Sequence, residues 1–304
     1  MPQTRCSAFG SIRQKFLITV ALLLMVSLGA QAQRVTIEKD IVYASRDGLD
    51  LMLDVGKVEE QQGRLPAIIY LPGNSWGAAW GFAWDRSQGL IPIMQTAREG
   101  YVVISIDYSP ISIKEGGKTK FPFPTQIYDV KNAIRWVRAH ADQYGIDPEK
   151  IGLLGWSSGG HLALLAALTG PKDNLDGDVK YAENTCDVQA VVTIGAPTDM
   201  AANYADYPDD RDVLQALLMG TPTDRQEAYH VASPITYVHK GSPPILSIMG
   251  TDDAPGQAEI LDARMKEVGA NHTLLLIEGM EHHNDWVDPS VIPFFNKYLK
   301  AVNK

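Results

Sequence analysis

The sequence is poor in cysteine, with two in 304 residues, and that scarcity limits how the fold can be held. Cys6 precedes an uncharged apolar run from Phe16 to about Ala30, so it cannot be a lipid acceptor at a cleavage site beyond that run. Only Cys186 follows it, which excludes an intrachain disulfide there and leaves the core to do the work. A buried structural thiol is the expected role of Cys186. Positive charge is also in deficit: 27 Lys and Arg stand against 36 Asp and Glu, a formal charge of −9. Such a field offers no attraction to nucleic acid or an anionic membrane. Repeats and low-complexity tracts are absent from the sequence too. With 45% hydrophobic and 21% charged residues, the composition suits a globular chain with a sizeable core.

The first stretch reads as a separate object. Arg5, Arg13 and Lys15 precede the apolar run, and Ala30-Gln31-Ala32 supplies a small-x-small cleavage pattern. The expectation is a secretory signal over residues 1–32, cleaved after Ala32, and a secreted or periplasmic domain over residues 33–304. Cleavage removes three positive charges and no acid, moving the formal charge from −9 to −12, and leaves no stable membrane insertion. The alternative is an uncleaved anchor, for which the run is borderline short.

Residues 35–55 alternate as antiparallel strands do, with Arg46-Asp47-Gly48 as the turn. Short apolar runs follow at Pro66–Leu71, Tyr101–Ile106, Ile151–Leu154, Ala190–Ile194, Pro244–Met249 and Thr273–Ile277. Their length and their Gly and Pro flanks suit strands buried on both faces of a parallel sheet. Helical segments lie between them. Over Gln126–Tyr144, Ile127, Val130, Ile134, Val137 and Ala141 form one apolar stripe. Gly159–Leu168 is small and apolar nearly throughout, and Ala258–Val268 and Ile292–Val302 complete the set. Strand and helix in alternation predict a doubly wound, mostly parallel α/β sheet with helices on both faces. The irregular stretch from about Thr198 to Ser242 is expected as a short insertion over the carboxyl edge of the sheet, where such folds bind ligands.

Gly155-Trp156-Ser157-Ser158-Gly159 matches G-x-S-x-G between a buried strand and a buried helix. A sharp strand-to-helix turn lifts the serine hydroxyl above the sheet and needs glycine two residues to either side. Ser158 is the rival nucleophile, but Trp156 stands two residues before it where glycine is needed. A serine hydroxyl is a weak nucleophile unless a base, oriented by a carboxylate, takes its proton. With this turn the chain order is Ser, acid, His. Gly250-Thr251-Asp252-Asp253 follows a strand and offers Asp253 as the acid, with Asp252 as the alternative. Gly279-Met280-Glu281-His282-His283 follows the last strand and offers His282 as the base, with His283 as the alternative. Among the other histidines, His161 is expected to serve packing or a hydrogen bond inside its helix, and His140, His230, His239 and His272 to lie on the surface or in loops. The paired histidines lack a third ligand at suitable spacing, so no metal is expected. An oxyanion needs two backbone N–H donors. Ser158 should supply one and the loop Pro72-Gly73-Asn74-Ser75-Trp76 the other, from Asn74 first, with Gly73 and Ser75 close behind. That loop continues through Gly77, Trp80, Gly81, Phe82 and Trp84. Trp76, Trp80 and Trp156 are candidate substrate contacts, and packing of the loop against the body is an equal alternative.

The stretch from Tyr128-Asp129 to Gly170, with DVKNAIRWVRAHADQYGIDPEKIGLLGWSSGGHLALLAAL, resembles the hormone-sensitive-lipase-like α/β-hydrolases. It is most similar to secreted carboxylesterases, including the bifunctional feruloyl and acetyl-xylan esterases. Leu51-x-Leu-Asp54, Ile106-Asp-Tyr108, Ala232-Ser-Pro234 and Gly250-x-x-Asp253 fall in the order of that family. The resemblance implies an α/β-hydrolase fold, a serine esterase without cofactor, and small-molecule or carbohydrate ester substrates. Two motifs depart from the family: Pro72-Gly73-Asn74 replaces His-Gly-Gly, and Ala254-Pro255 replaces Val-Pro. A peptidase or amidase with the same triad, and a non-catalytic binding protein on the same scaffold, are the alternative functions.

Overall fold

The computed structural model describes residues 33–77, 95–113, 119–177, 179–282 and 288–300. The expected signal segment, Trp80, Phe82, Trp84 and His283 lie outside the described residues. Strands β1 (Val35–Arg46) and β2 (Leu49–Val58) form a hairpin. Asp47 and Gly48, both at positive φ, make its two-residue turn where the sequence places it. β3 (Leu65–Leu71), β4 (Val102–Ile106), β7 (Ile146–Trp156), β8 (Ala190–Ile194), β9 (Ile245–Gly250) and β10 (His272–Ile277) complete an eight-stranded sheet. Two-residue strands β5 (Ser112–Ile113) and β6 (Thr119–Lys120) pair separately. The sheet order is β1-β2-β4-β3-β7-β8-β9-β10, antiparallel as far as β2–β4 and parallel beyond. This is the expected doubly wound fold.

Alternate residues of each central strand enter opposite cores, as the pleat requires. Ala67, Ile69 and Leu71 of β3 join one cluster with Ile127, Val130, Ile134 and Val137. Ile68 and Tyr70 join the other, with Phe294, Phe295 and Leu299. The first face is therefore covered by α1 (Thr125–Ala139), which a turn at His140 separates from the one-turn α2 (Ala141–Tyr144), and by α3 (Ser158–Leu168). α7 (Pro255–Val268) adds Leu261 and Met265 to that face. α8 (Val291–Leu299) covers the second face, so close that a Cβ at Gly152 would lie 2.6 Å from the Phe295 ring. Burying a side chain such as Phe295 contributes roughly 1.5–3 kcal/mol.

The insertion folds as three short helices: α4 (Met200–Asp206), α5 (Arg211–Leu218) and α6 (Gln226–Ala232). Thr273–Ile277 departs from the expectation of a strand buried on both faces. β10 pairs only with β9 at the sheet edge, and its Thr273 and Leu276 are exposed. Continuous hydrophobicity alone does not separate an edge strand from a central one. His272, expected on the surface or in a loop, begins β10 with its side chain buried. Its Nδ1 lies 2.9 Å from Asp262 Oδ1 and its Nε2 lies 3.0 Å from Ser247 Oγ.

Burial holds His161 down, at about 4, and pulls His272 below its ordinary value against the pull of Asp262. Both imidazoles are thus neutral in the folded chain while the unfolded chain protonates them near 6.5. Their contribution to stability is complete above that pH and drains away as pH falls toward the folded values. His161 alone is expected to withdraw on the order of 3 kcal/mol by pH 4. Urea midpoints at pH 7, 5.5 and 4 should fall in that order, with a flatter slope for His161→Asn.

Candidate active site

Ser157 joins β7 to α3 with φ 52° and ψ −124°, a backbone that few non-glycine residues adopt. Its N–H donates to Ile194 O at 2.8 Å, and its carbonyl accepts the His161 N–H at 3.0 Å. The flanking glycines are required by space. A Cβ at Gly155 would lie 2.4 Å from Gly159 O, and one at Gly159 would lie 2.1 Å from Leu71 O. Strand, turn and helix can therefore meet only without side chains at these two positions. Ser158 is the buried first residue of α3, and its Oγ accepts a hydrogen bond from Asn74 N–H. The rival nucleophile is thus sealed away from any substrate.

Ser157 Oγ lies 2.9 Å from His282 Nε2, and His282 Nδ1 lies 3.0 and 2.9 Å from the two oxygens of Asp253. The imidazole donates from Nδ1 to the carboxylate and accepts the seryl proton at Nε2. The acid and base turns are knit together. Thr251 N–H donates to Ile277 O, Asp252 N–H to Met280 O, and Gly279 N–H to Thr251 Oγ1. Asp252 is exposed, and its carboxylate accepts from Thr251 Oγ1 rather than from the histidine. Of the adjacent pair, it is the Asp253 carboxylate that meets His282.

A pocket of about 370 Å³ opens on Ser157 and His282. Asn203, Asp206, Tyr207, Asp209 and Asp210 wall it from the insertion, and Ser75, Trp76, Gly195 and Asp253 from the sheet side. The buried Asn203 donates from its amide to Asp210 Oδ2 at 2.8 Å, which fixes that carboxylate. The hydrogen bond to Asp253 raises the His282 pKa, burial opposes it, and the charges of Asp253 and Asp210 raise it further. The acidic segment Asp206-Tyr-Pro-Asp-Asp210 was not singled out in the sequence. Its signal there was only a run of acids and proline within the expected insertion. Gly195 is a second omission. At φ 60°, it lies where a Cβ would come within 3.0 Å of Asp253 Oδ2 and 3.1 Å of the His282 ring. A glycine ending a strand looks like ordinary turn chemistry until the triad is seen beside it.

Three expectations need correction. Asn74 does not present its N–H to the pocket, because Ser158 Oγ takes it at 3.0 Å. Trp76 borders the pocket but is 3% exposed, with Nε1–H donating to His161 Nδ1 at 3.0 Å, so its ring is a brace and offers no stacking face. Trp156 stacks on His282, with centroids 5.6 Å apart, and packs on the second core without lining the pocket. Gly73 lies against the elbow, where a Cβ would meet Trp156 O at 2.5 Å. Cys186 is buried near Asp176 and Arg135 with its thiol pushed up by burial, as expected of a structural thiol. Among the described residues, no group of three His, Cys, Asp or Glu is placed to hold a metal.

A G-x-S-x-G elbow on a mostly parallel sheet, with the acid after β9 and the histidine after β10, defines an α/β-hydrolase. Residues 53–261 match the family model BD-FAE, and the chain belongs to that family. The match includes Ser157 and Asp253 and ends before His282. Esterase LipC of Mycobacterium tuberculosis is 30% identical over 250 residues, covering 78% of this chain and 58% of its own length. Esterase LipQ of the same organism is 30% identical over 68% of this chain and 47% of its own length. The chain thus spans about half the length of the curated relatives it matches. A truncated form of a carbohydrate esterase from gut microbiota superposes with TM-score 0.71 at 28% identity, over 90% of this chain and 99% of that one. Thermogutta terrifontis esterase 2 phosphorylated by paraoxon, at 22% identity and TM-score 0.66 over 85% and 90% of the two chains, shares the fold.

Two measurements check this geometry. Gly195→Ala should press on the Asp253–His282 pair and lower kcat by about ten- to a hundredfold, as small misplacements at a reacting centre do, without loss of the far-ultraviolet dichroism of the fold. Asp210→Asn removes a charge that raises the His282 pKa, so the acid limb of the kcat/KM–pH profile should move to lower pH.

Proposed function

We propose that this chain is a serine carboxylesterase that hydrolyses short-chain or acylated-carbohydrate esters through an acyl-enzyme. The single observation that carries the reading is the continuous relay from Ser157 Oγ through His282 to Asp253, opening on a pocket. Ser157 Oγ attacks the ester carbonyl carbon while His282 Nε2 takes its proton, and the carbonyl electrons move to an oxyanion. Collapse of that intermediate breaks the bond to the alcohol oxygen, which leaves with the proton from His282. Water then repeats the sequence on the acyl-enzyme, with His282 again base and then acid, and frees the carboxylic acid. Asp253 stabilises the imidazolium formed in each half.

The oxyanion donors in this reading are the N–H groups of Ser158 and Ser75. Ser158 directly follows the nucleophile. Ser75 borders the pocket beside Ser157, whereas the Asn74 N–H is already given to Ser158 Oγ. The carbohydrate assignment draws support from the pocket wall and from a carbohydrate esterase among the structural relatives. Asp206, Asp209 and Asp210 are acceptors suited to the hydroxyl groups of a sugar. An exported enzyme, as the N-terminal segment suggests, would meet such esters outside the cell.

Ser157→Ala should lower turnover of p-nitrophenyl acetate by about four orders of magnitude or more and abolish fluorophosphonate labelling. Undiminished activity in that variant sinks the reading. Acetate release from acetylated xylan or an acetylated monosaccharide should exceed that from a matched alkyl acetate, and equal rates would remove the carbohydrate assignment.

A further inference from the structure

The loop after β3 holds two consecutive non-glycine residues in left-handed backbone, Ser75 at φ 46° and Trp76 at φ 55°. Such a backbone is strained for residues other than glycine and persists only where its surroundings over-determine it. Several contacts do so here. Gly77 N–H donates to Asn74 O at 2.7 Å and closes the turn, and Ile111 N–H donates to Trp76 O at 2.9 Å. The Trp76 indole donates from Nε1 to His161 Nδ1 at 3.0 Å, edge-on to the imidazole with centroids 5.2 Å apart.

His161 sits at a junction. Its backbone N–H donates to the carbonyl of Ser157, one helical turn before it, so it is fixed relative to the nucleophile. Its Nε2 lies 2.8 Å from Ala232 O at the end of α6. An indole N–H can only donate, so Nδ1 must accept and Nε2 must donate to the carbonyl. One neutral tautomer, wholly buried, therefore ties together the elbow, the insertion and the loop that carries Ser75. Packing alone would be served equally well by leucine or phenylalanine, at no desolvation cost.

We propose that His161 is a positioning residue for the oxyanion hole: its Nδ1 holds the Trp76 indole and thereby sets the left-handed Ser75–Trp76 backbone that aims the Ser75 N–H at the ester oxygen. The proposal rests on the carboxylesterase reading above. It assigns different work to the two ring nitrogens, Nδ1 to the oxyanion loop and Nε2 to the anchoring of α6. Asparagine places an acceptor near the Nδ1 position, and glutamine places a donor near the Nε2 position. The two substitutions thus separate positioning from structural support.

The test is steady-state turnover of p-nitrophenyl acetate by the full chain and by His161→Gln, His161→Asn and Trp76→Phe, alongside thermal unfolding of each. Loss of one well-placed oxyanion donor lowers kcat by about a hundred- to a thousandfold. His161→Gln and Trp76→Phe should approach that loss with KM within about twofold of the parent, and His161→Asn should recover most of kcat. A purely structural role gives the opposite order, with His161→Gln the better variant in both Tm and kcat, and overturns the proposal. So does parental kcat in Trp76→Phe, or a loss in all three variants that follows Tm and KM together. A parent chain that turns over no ester overturns the carboxylesterase reading and this inference with it, whereas a working parent with indifferent variants overturns the inference alone.

Discussion

The arrangement depends first on the backbone of Ser157. A φ of 52° with ψ −124° is unfavourable for serine, yet it makes β7 end and α3 begin without an intervening loop. The clamps on it come from neighbours in the sheet and helix, through Ile194 O on the amide and the His161 amide on the carbonyl. Those clamps work only because Gly155 and Gly159 let Leu71, the elbow and the first turn of α3 come into contact. The same closeness brings the loop after β3 against Ser157, where a Cβ at Gly73 would lie 2.5 Å from Trp156 O and 2.8 Å from Ser157 Cβ. Strain at one residue thus fixes the places of the Ser157 hydroxyl and of the loop facing it.

The charge around the histidine follows from the topology. Parallel strands β8 and β9 end on the same edge as β7, so their exit turns, with Gly195 and Asp253, meet at the elbow. The insertion between β8 and β9 then brings Asp206, Asp209 and Asp210 to the pocket wall. Aspartates are costly near one another, but the charge of Asp210 favours a protonated His282 and raises its pKa. The wall therefore acts on His282 through Asp210 as well as lining the pocket. Arg211, next in the chain, is turned onto the Tyr204 and Ala205 carbonyls and does not neutralise it by pairing with these acids.

Much of this was legible in residue spacing. Ser157 could be read because the elbow needs glycine two residues to either side, and Trp156 disqualified Ser158. The central strands could be read because burial on both faces demands a short continuous apolar run, and α1 because burial on one face imposes a helical period. The choice of Asp253 over Asp252 leaned on spacing, and the structure places the Asp253 carboxylate on His282 and that of Asp252 on Thr251. The oxyanion loop was misread at Asn74 because a backbone N–H carries no residue signature. Its direction depends on Ser158 Oγ, a contact 84 residues away in the chain. The tryptophans were misread for a related reason. An aromatic residue in a loop is equally suited to a ligand and to a buried acceptor, and only His161 Nδ1 decides for Trp76.

The fold also contains its own comparison for the triad. Ser247, His272 and Asp262 reproduce a Ser–His–Asp relay with distances of 3.0 and 2.9 Å, closely matching those at Ser157, His282 and Asp253. Yet the His272 side chain is 1% exposed where that of His282 is 45% exposed, and Ser247 is buried within the sheet on β9. Burial depresses the first imidazole, while carboxylates raise the second. Ser247 lies in the middle of a strand, whose N–H groups are committed to the ladder and cannot converge on a developing oxyanion. Three residues in hydrogen-bond order are therefore insufficient to make a nucleophile. What separates the two relays is the strained turn that lifts Ser157 out of the sheet, the loop brought against it, and the acid-walled pocket that opens on it.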